Sequence, residues 1–124
     1  ALRSTIATVP LWLAGAWIVF RVVGSSVIVP LIEELAFRGG LMQFVETLLA
    51  KQVRPTVSAG LALVVTSVGF GLLHADIIAG VVAGFAFGAV FLWRRVLMDA
   101  VTAHAVTNFI ICLHVLGVGE WSYW

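Results

Sequence analysis

The sequence predicts an all-α fold, a polytopic transmembrane helical bundle of about five membrane segments. Of the 124 residues, 62% are hydrophobic and only 10% are charged. Four long runs contain no Asp, Glu, Lys or Arg: 4–20, 55–75, 77–93 and 100–119. Each run meets the minimum of about 17 apolar residues that a helix needs to cross a membrane. A soluble fold is disfavoured, because so short a chain could not cover four wholly buried helices.

The charges and the shorter apolar runs divide the chain into membrane segments. The predicted segments are 5–23, 26–50, 55–75, 77–95 and 98–118. The second is an interrupted span, since a charged cluster lies inside it. In the fourth, Gly80, Gly84 and Gly88 repeat every four residues. Small residues at that spacing let a neighbouring helix approach closely, so we interpret them as a packing face.

Charge outside the segments predicts the orientation. With five crossings, the basic residues Arg3, Lys51, Arg54, Arg94 and Arg95 all fall on one side of the membrane. Asp76 and Glu120 fall on the other side, with Arg21 as an exception. The excess of positive charge in cytoplasmic loops then predicts a cytoplasmic N-terminus. A net charge of +1 without any basic run argues against a nucleic-acid partner.

The first polar group lies in "VPLIEELAFRGG", residues 29–40. On a helix, Glu34 and Arg38 share a face and can pair. Glu33 lies about 140° from Arg38, so it is the acid left available as a general base. Ionisable groups within a membrane are functional by default, although an ion pair that only locks packing remains the alternative.

Two further pairs, each four residues apart, lie on other segments. Phe70 and His74 end the third segment, and His104 and Asn108 lie in the fifth. Glu33 and His74 could hold and deprotonate a water, while His104 and Asn108 could donate hydrogen bonds to an oxyanion. Each pair alone could be structural, but the three groups together predict a hydrolytic site across three helices.

The three groups, in this order, resemble the motifs of the CPBP family of CAAX proteases and bacteriocin-processing proteins, also called Abi. The matching patterns are Glu33-Glu34-x-x-x-Arg38, Phe70-x-x-x-His74 and His104-x-x-x-Asn108, and the resemblance covers roughly residues 25 to 115. It implies a glutamate-dependent intramembrane endopeptidase that requires no metal or other cofactor. The substrate would be a membrane-associated protein or a C-terminal peptide.

The resemblance also implies a role for each matched residue. Glu33 would activate the hydrolytic water, and His74 would position that water and shuttle its proton. His104 and Asn108 would form the oxyanion hole. The supporting residues would be Glu34, Arg38 and Phe70.

The flanking sequences "FRVVGSSVIVPLIEELAFRG" and "WSYW" are similar to the protease half of exosortase E fusion proteins. This likeness implies a multi-pass protein of the bacterial inner membrane. Family members usually carry more helices before the first motif. We therefore expect residues 1–124 to be one protease core from a longer protein, with upstream or fused membrane helices as possible partners.

Three other functions remain open from the residues. A zinc hydrolase could use Glu33, His74 and His104 as ligands, although the His-Glu-x-x-His signature is absent. A proton-coupled transporter could use the same groups as a relay. A non-catalytic scaffold or immunity protein would keep the fold without turnover.

Overall fold

The computed structural model describes Ser4, Ile6 and residues 8–121. In this part of the chain, four helices are long and apolar enough to cross a membrane. They are α1 (Leu11–Leu49), α2 (Pro55–Leu72), α3 (Ile77–Arg94) and α4 (Leu97–Val118). The predicted all-α transmembrane bundle is thereby confirmed, and the last three predicted segments match α2 to α4 within three residues at each end.

Helix α1 joins the first two predicted segments into one continuous helix. Its α-helical stretches are Leu11–Val23, Val29–Glu34 and Gln43–Leu49, and its π-helical turns are Gly24–Ile28 and Leu35–Met42. The predicted bounds 5–23 and 26–50 place a break at residues 24–25, but Gly24 keeps helical angles (φ −57°, ψ −54°) and the helix continues through a π-turn. About five segments therefore become four among the described residues.

The continuity of α1 bears on the predicted orientation. Its 39 residues correspond to about 58 Å, nearly twice the thickness of the hydrocarbon core. The basic loops at 50–54 and 95–96 still share one side of the bundle. A single crossing by α1 would place residue 11 on the opposite side, and Arg3 lies outside the described residues. The cytoplasmic N-terminus therefore stays a prediction.

Local sequence explains where the other helices begin and end. Pro55 opens α2 at a position where its missing N–H is not needed. The side chain of Asp76 accepts a hydrogen bond from the N–H of Ala79 at 3.0 Å and caps α3. Arg95 (φ 56°) and Gly119 (φ 78°) end α3 and α4 in the left-handed conformation.

Helices α2 and α3 pack closely through small residues. A Cβ at Gly80 would lie 2.9 Å from the Cα of Gly71, and one at Gly84 would lie 2.9 Å from the Cα of Ser67. The predicted small-residue packing face of α3 is thus confirmed. Near the loops at 50–54 and 95–96, a buried apolar cluster joins all four helices: Met42, Ala62, Phe91 and Ala100.

Successive stretches of α1 contact different helices. Its C-terminal half, from the second π-turn onward, packs against α2, whereas Val29–Glu34 and the first π-turn pack against α4. The two acids of the first motif therefore lie where α1 meets α4, and the second π-turn carries Arg38 towards α2 and α3. Turns of π-helix inside α-helices occur frequently at functional sites.

Candidate active site

A fully buried ion pair forms the base of the site. Arg38 Nε lies 3.0 Å from Glu34 Oε2, and both side chains are 0% exposed. Arg38 Nη2 donates to the carbonyl oxygen of Gly84 at 2.8 Å, which ties the pair to α3. The guanidinium carbon lies 4.7 Å from the ring centroid of Phe70. The pairing that the four-residue spacing predicts is therefore present, and it links α1, α2 and α3.

The second oxygen of Glu34 holds the imidazole of His104. His104 Nδ1 lies 2.9 Å from Glu34 Oε1, and the His104 ring stacks on Phe87 with centroids 4.5 Å apart. A carboxylate that is ion-paired with Arg38 carries no hydrogen and can only accept, so Nδ1 of His104 carries the hydrogen. This assignment leaves Nε2 as the nitrogen that is available to other groups.

Glu33 is the acid that faces this free nitrogen. Its Oε2 lies 3.8 Å from His104 Nε2, which is longer than a direct hydrogen bond. The Glu33 side chain is 31% exposed, but Oε2 itself is buried and has no hydrogen-bond partner among the described residues. Glu34 is occupied on both oxygens, so Glu33 is the less compensated acid of the two.

His74 is held at the end of α2 by its own helix. Its Nδ1 lies 2.7 Å from the carbonyl oxygen of Phe70. A carbonyl only accepts, so Nδ1 carries the hydrogen and Nε2 of a neutral His74 is an acceptor. The centroid of the Phe70 ring lies 4.4 Å from that of His74 and 5.7 Å from that of His104, so Phe70 contacts both histidines. Phe70 thus connects the second motif to the third.

Asn108 lies one helical turn beyond His104 on α4. Its Nδ2 donates to the carbonyl oxygen of Ser25 at 2.8 Å. Cys112 lies a further turn along, with its Sγ 3.3 Å from the hydroxyl of Ser25. Asn108 therefore joins the site to the first π-turn of α1, a contact that the sequence analysis does not predict.

The structure brings together most of the residues that the sequence singles out. Glu33, Glu34, Arg38 and His104 form one connected polar chain. Sequence reasoning assigned Gly84 to helix packing alone and missed Phe87 and Ser25, because a backbone carbonyl or an apolar ring carries no chemical signature in a hydrophobic segment. Within the described part of the chain, no three His, Cys, Asp or Glu side chains form a group that could hold a metal ion.

Comparison with known proteins identifies the family. The family model described as "Type II CAAX prenyl endopeptidase Rce1-like" matches residues 15–110, a range that includes all three motifs. No curated protein and no solved structure matches the chain. The match covers more than half of the sequence, and the apolar helices agree with a membrane protease. The chain therefore belongs to the Rce1-like family of type II CAAX prenyl endopeptidases, as an integral membrane hydrolase that acts on a protein or peptide substrate.

Proposed function

We propose that this protein is a glutamate-dependent intramembrane endopeptidase in which Glu33 is the general base. The observation that carries the proposal is the 3.8 Å approach of Glu33 Oε2 to His104 Nε2. Glu34, the neighbouring acid, has both oxygens engaged by Arg38 and His104. Of the two acids, Glu33 alone has a partly exposed side chain that a water and a peptide could reach.

The chemistry follows from the positions of the hydrogens. Glu33 takes a proton from a water that also donates to Nε2 of His74, and the water oxygen adds to the substrate carbonyl carbon. Transfer of the proton from Glu33 to Nε2 of His104 makes this nitrogen a donor as the oxyanion develops. Asn108 supplies a second donor. The proton then passes to the leaving nitrogen as the C–N bond breaks.

The substrate class proposed is a membrane-associated protein or its C-terminal peptide, of the CAAX or the sorting type. In a bundle that excludes bulk water, this function requires space beside Glu33 for one water and an extended peptide. The half-buried positions of Glu33 and Asn108 support access where α1 contacts α4, and His74, at the end of α2, is also half-buried.

The test is mass spectrometry of a membrane-peptide mixture incubated with the reconstituted protein, with and without a chelator. The wild type is compared with Glu33→Gln and with Glu46→Gln, which changes a carboxylate on the same helix far from the site. We expect products from the wild type and from Glu46→Gln, none from Glu33→Gln, and no effect of the chelator.

Other outcomes would overturn the proposal. Products that persist in Glu33→Gln would show that Glu33 is not the general base. Products that are lost with the chelator would favour a zinc hydrolase. Substrate-dependent proton flux into proteoliposomes without any cleavage would favour a transporter. No turnover, with the biological activity intact in Glu33→Gln, would favour a scaffold or immunity protein.

We further propose that the basic loops at 50–54 and 95–96 face the cytoplasm. Lys51 and Arg54 lie in the first loop, and Arg95 lies in the second, which supports this orientation by the positive-inside rule. The only native cysteine, Cys112, is buried, so an introduced thiol can be labelled selectively. In intact cells an impermeant maleimide should label Ala75→Cys and leave Gln52→Cys unlabelled, and the reverse pattern would invert the orientation.

A further inference from the structure

The first π-turn of α1 leaves one backbone carbonyl without a helical partner. The N–H of Val29 donates to the carbonyl of Gly24, five residues back. In the same register, residue 30 would donate to the carbonyl of Ser25, but residue 30 is Pro and has no N–H. Pro30 is also fully buried, so water is a poor substitute as a donor. The carbonyl of Ser25 therefore needs a donor from outside the helix.

Asn108 supplies that donor. Its side-chain nitrogen lies 2.8 Å from the oxygen of Ser25, across the contact between α4 and α1. The carbonyl can only accept, so this bond fixes which end of the amide faces Ser25. An amide nitrogen carries two hydrogens in a rigid plane, and binding one of them sets the direction of the other.

We propose that Pro30 and Ser25 are positioning residues for Asn108. Pro30 withholds a backbone donor from the carbonyl of Ser25, and this carbonyl binds one N–H of Asn108. The second N–H is thereby held in a fixed direction for the oxyanion. This inference deepens the proposed function and rests on it. A proline inside a helix removes one backbone hydrogen bond, which normally destabilises the helix. Positioning Asn108 gives that loss a function at Pro30, three residues before Glu33.

Selective isotope labelling can test the contact directly, since Asn108 is the only asparagine in the sequence. Protein labelled with [15N]asparagine gives a single side-chain NH2 pair in a micelle or nanodisc. In the wild type, we expect the two proton shifts to be widely separated, with one proton protected from exchange. Pro30→Ala supplies an N–H that competes for Ser25, so the separation should fall towards that of a free amide.

Pro55→Ala is the matched control. Pro55 occupies the first turn of α2, where no N–H is required, and its side chain is exposed. The NH2 pair should be unchanged in this variant. An unchanged pair in Pro30→Ala as well would overturn the proposal.

A second arm does not depend on the folding of Pro30→Ala. With [13C]carbonyl serine in the otherwise native chain, Asn108→Ala should shift the carbonyl resonance of Ser25. That resonance is assigned by its loss in Ser25→Ala, which keeps the carbonyl but removes the label. A Ser25 resonance that does not move in Asn108→Ala would contradict the hydrogen bond.

Kinetics separate a positioning role from a merely structural contact. Pro30→Ala should lower kcat about tenfold with KM changed by less than about twofold, because the amide is misdirected rather than removed. Pro55→Ala should keep the wild-type kcat. If Pro30→Ala releases the side-chain amide of Asn108 and kcat is unchanged, the positioning role is overturned. If the wild type shows no turnover that depends on Glu33, the proposed function fails, whereas the two labelling arms still decide where Asn108 is bound.

Discussion

Helix α1 supplies the carboxylate of two Glu–Arg ion pairs, one of which is buried and the other partly exposed to solvent. The inner pair, Glu34 with Arg38, is 0% exposed on both sides. The outer pair, Glu46 with Arg95, has side chains that are 20% and 47% exposed. The outer pair has the better geometry, since both guanidinium nitrogens bind Glu46, at 2.7 and 2.8 Å. The inner pair has one contact at 3.0 Å.

The difference shows that burial, rather than hydrogen-bond geometry, decides what a pair does. Solvent screens the outer pair, so it is worth at most about 1 kcal/mol. The inner pair offsets its desolvation cost only in part, because Nε and Nη1 of Arg38 and Oε2 of Glu34 have no hydrogen-bond partner among the described residues. Its contribution is therefore positional: it holds Glu34 where that carboxylate can bind His104.

The largest effect is expected from breaking the inner pair. Arg38→Met leaves the charge of Glu34 buried beside His104. Removing one partner of a buried ion pair lowers the free energy of unfolding by about 3–5 kcal/mol. Unfolding in mixed detergent should show this loss of stability. The double change Arg38→Met with Glu34→Met should recover most of the stability but no protease activity. A single variant as stable as the wild type would contradict the contrast.

Glu34→Gln should separate the two acids of the first motif. The glutamine has one acceptor oxygen, which cannot serve both Arg38 and His104, so we expect lower stability together with at least a tenfold loss of kcat. Glu33→Gln should abolish turnover with little change in the free energy of unfolding, because Glu33 is partly exposed and its Oε2 has no hydrogen-bond partner among the described residues. Full activity in both variants would contradict the proposed mechanism.

The close contact of α3 with α2 supports the inner pair from the other side. A Cβ at Gly84 would lie 2.9 Å from the Cα of Ser67, a backbone atom that cannot move alone, and the Gly84 carbonyl binds Arg38. Gly84→Ala should therefore lower the free energy of unfolding by about 1–3 kcal/mol and should also lower kcat. Gly60→Ala is the control, because a Cβ there would meet nothing within 4 Å. Equal stability of the two variants would show that the helices can separate without cost.

Much of the bundle follows from local sequence. Helices α2 to α4 were predictable because charge, Pro55 and Asp76 mark their ends. The inner pair was predictable too, since Glu34 and Arg38 are four residues apart on one helix. These features need only hydropathy and helical geometry.

The remaining contacts depend on backbone hydrogen bonds and on tertiary distance. The predicted segments end at residue 23 and begin again at residue 26, and only the π-helical hydrogen bonds of that turn show why α1 continues. The bond between Asn108 and Ser25 joins positions 83 residues apart through a carbonyl that every residue type carries. In the sequence, Arg95 indicates only the side of the membrane. Its pairing with Glu46, 49 residues away, requires the folded bundle.

The smallest effect is expected at the outer pair. Hydrogen bonding to Glu46 raises the pKa of Arg95 above its ordinary value, so Arg95 stays charged at any pH that the protein tolerates. Arg95→Lys keeps this charge but loses the bidentate contact with Glu46. The free energy of unfolding should change by less than about 1 kcal/mol. That difference should shrink further at high salt, whereas the penalty of Arg38→Met should not, because salt does not reach a buried pair. A large, salt-independent loss in Arg95→Lys would mean that the outer pair is as well shielded from water as the inner one, and burial would no longer distinguish them.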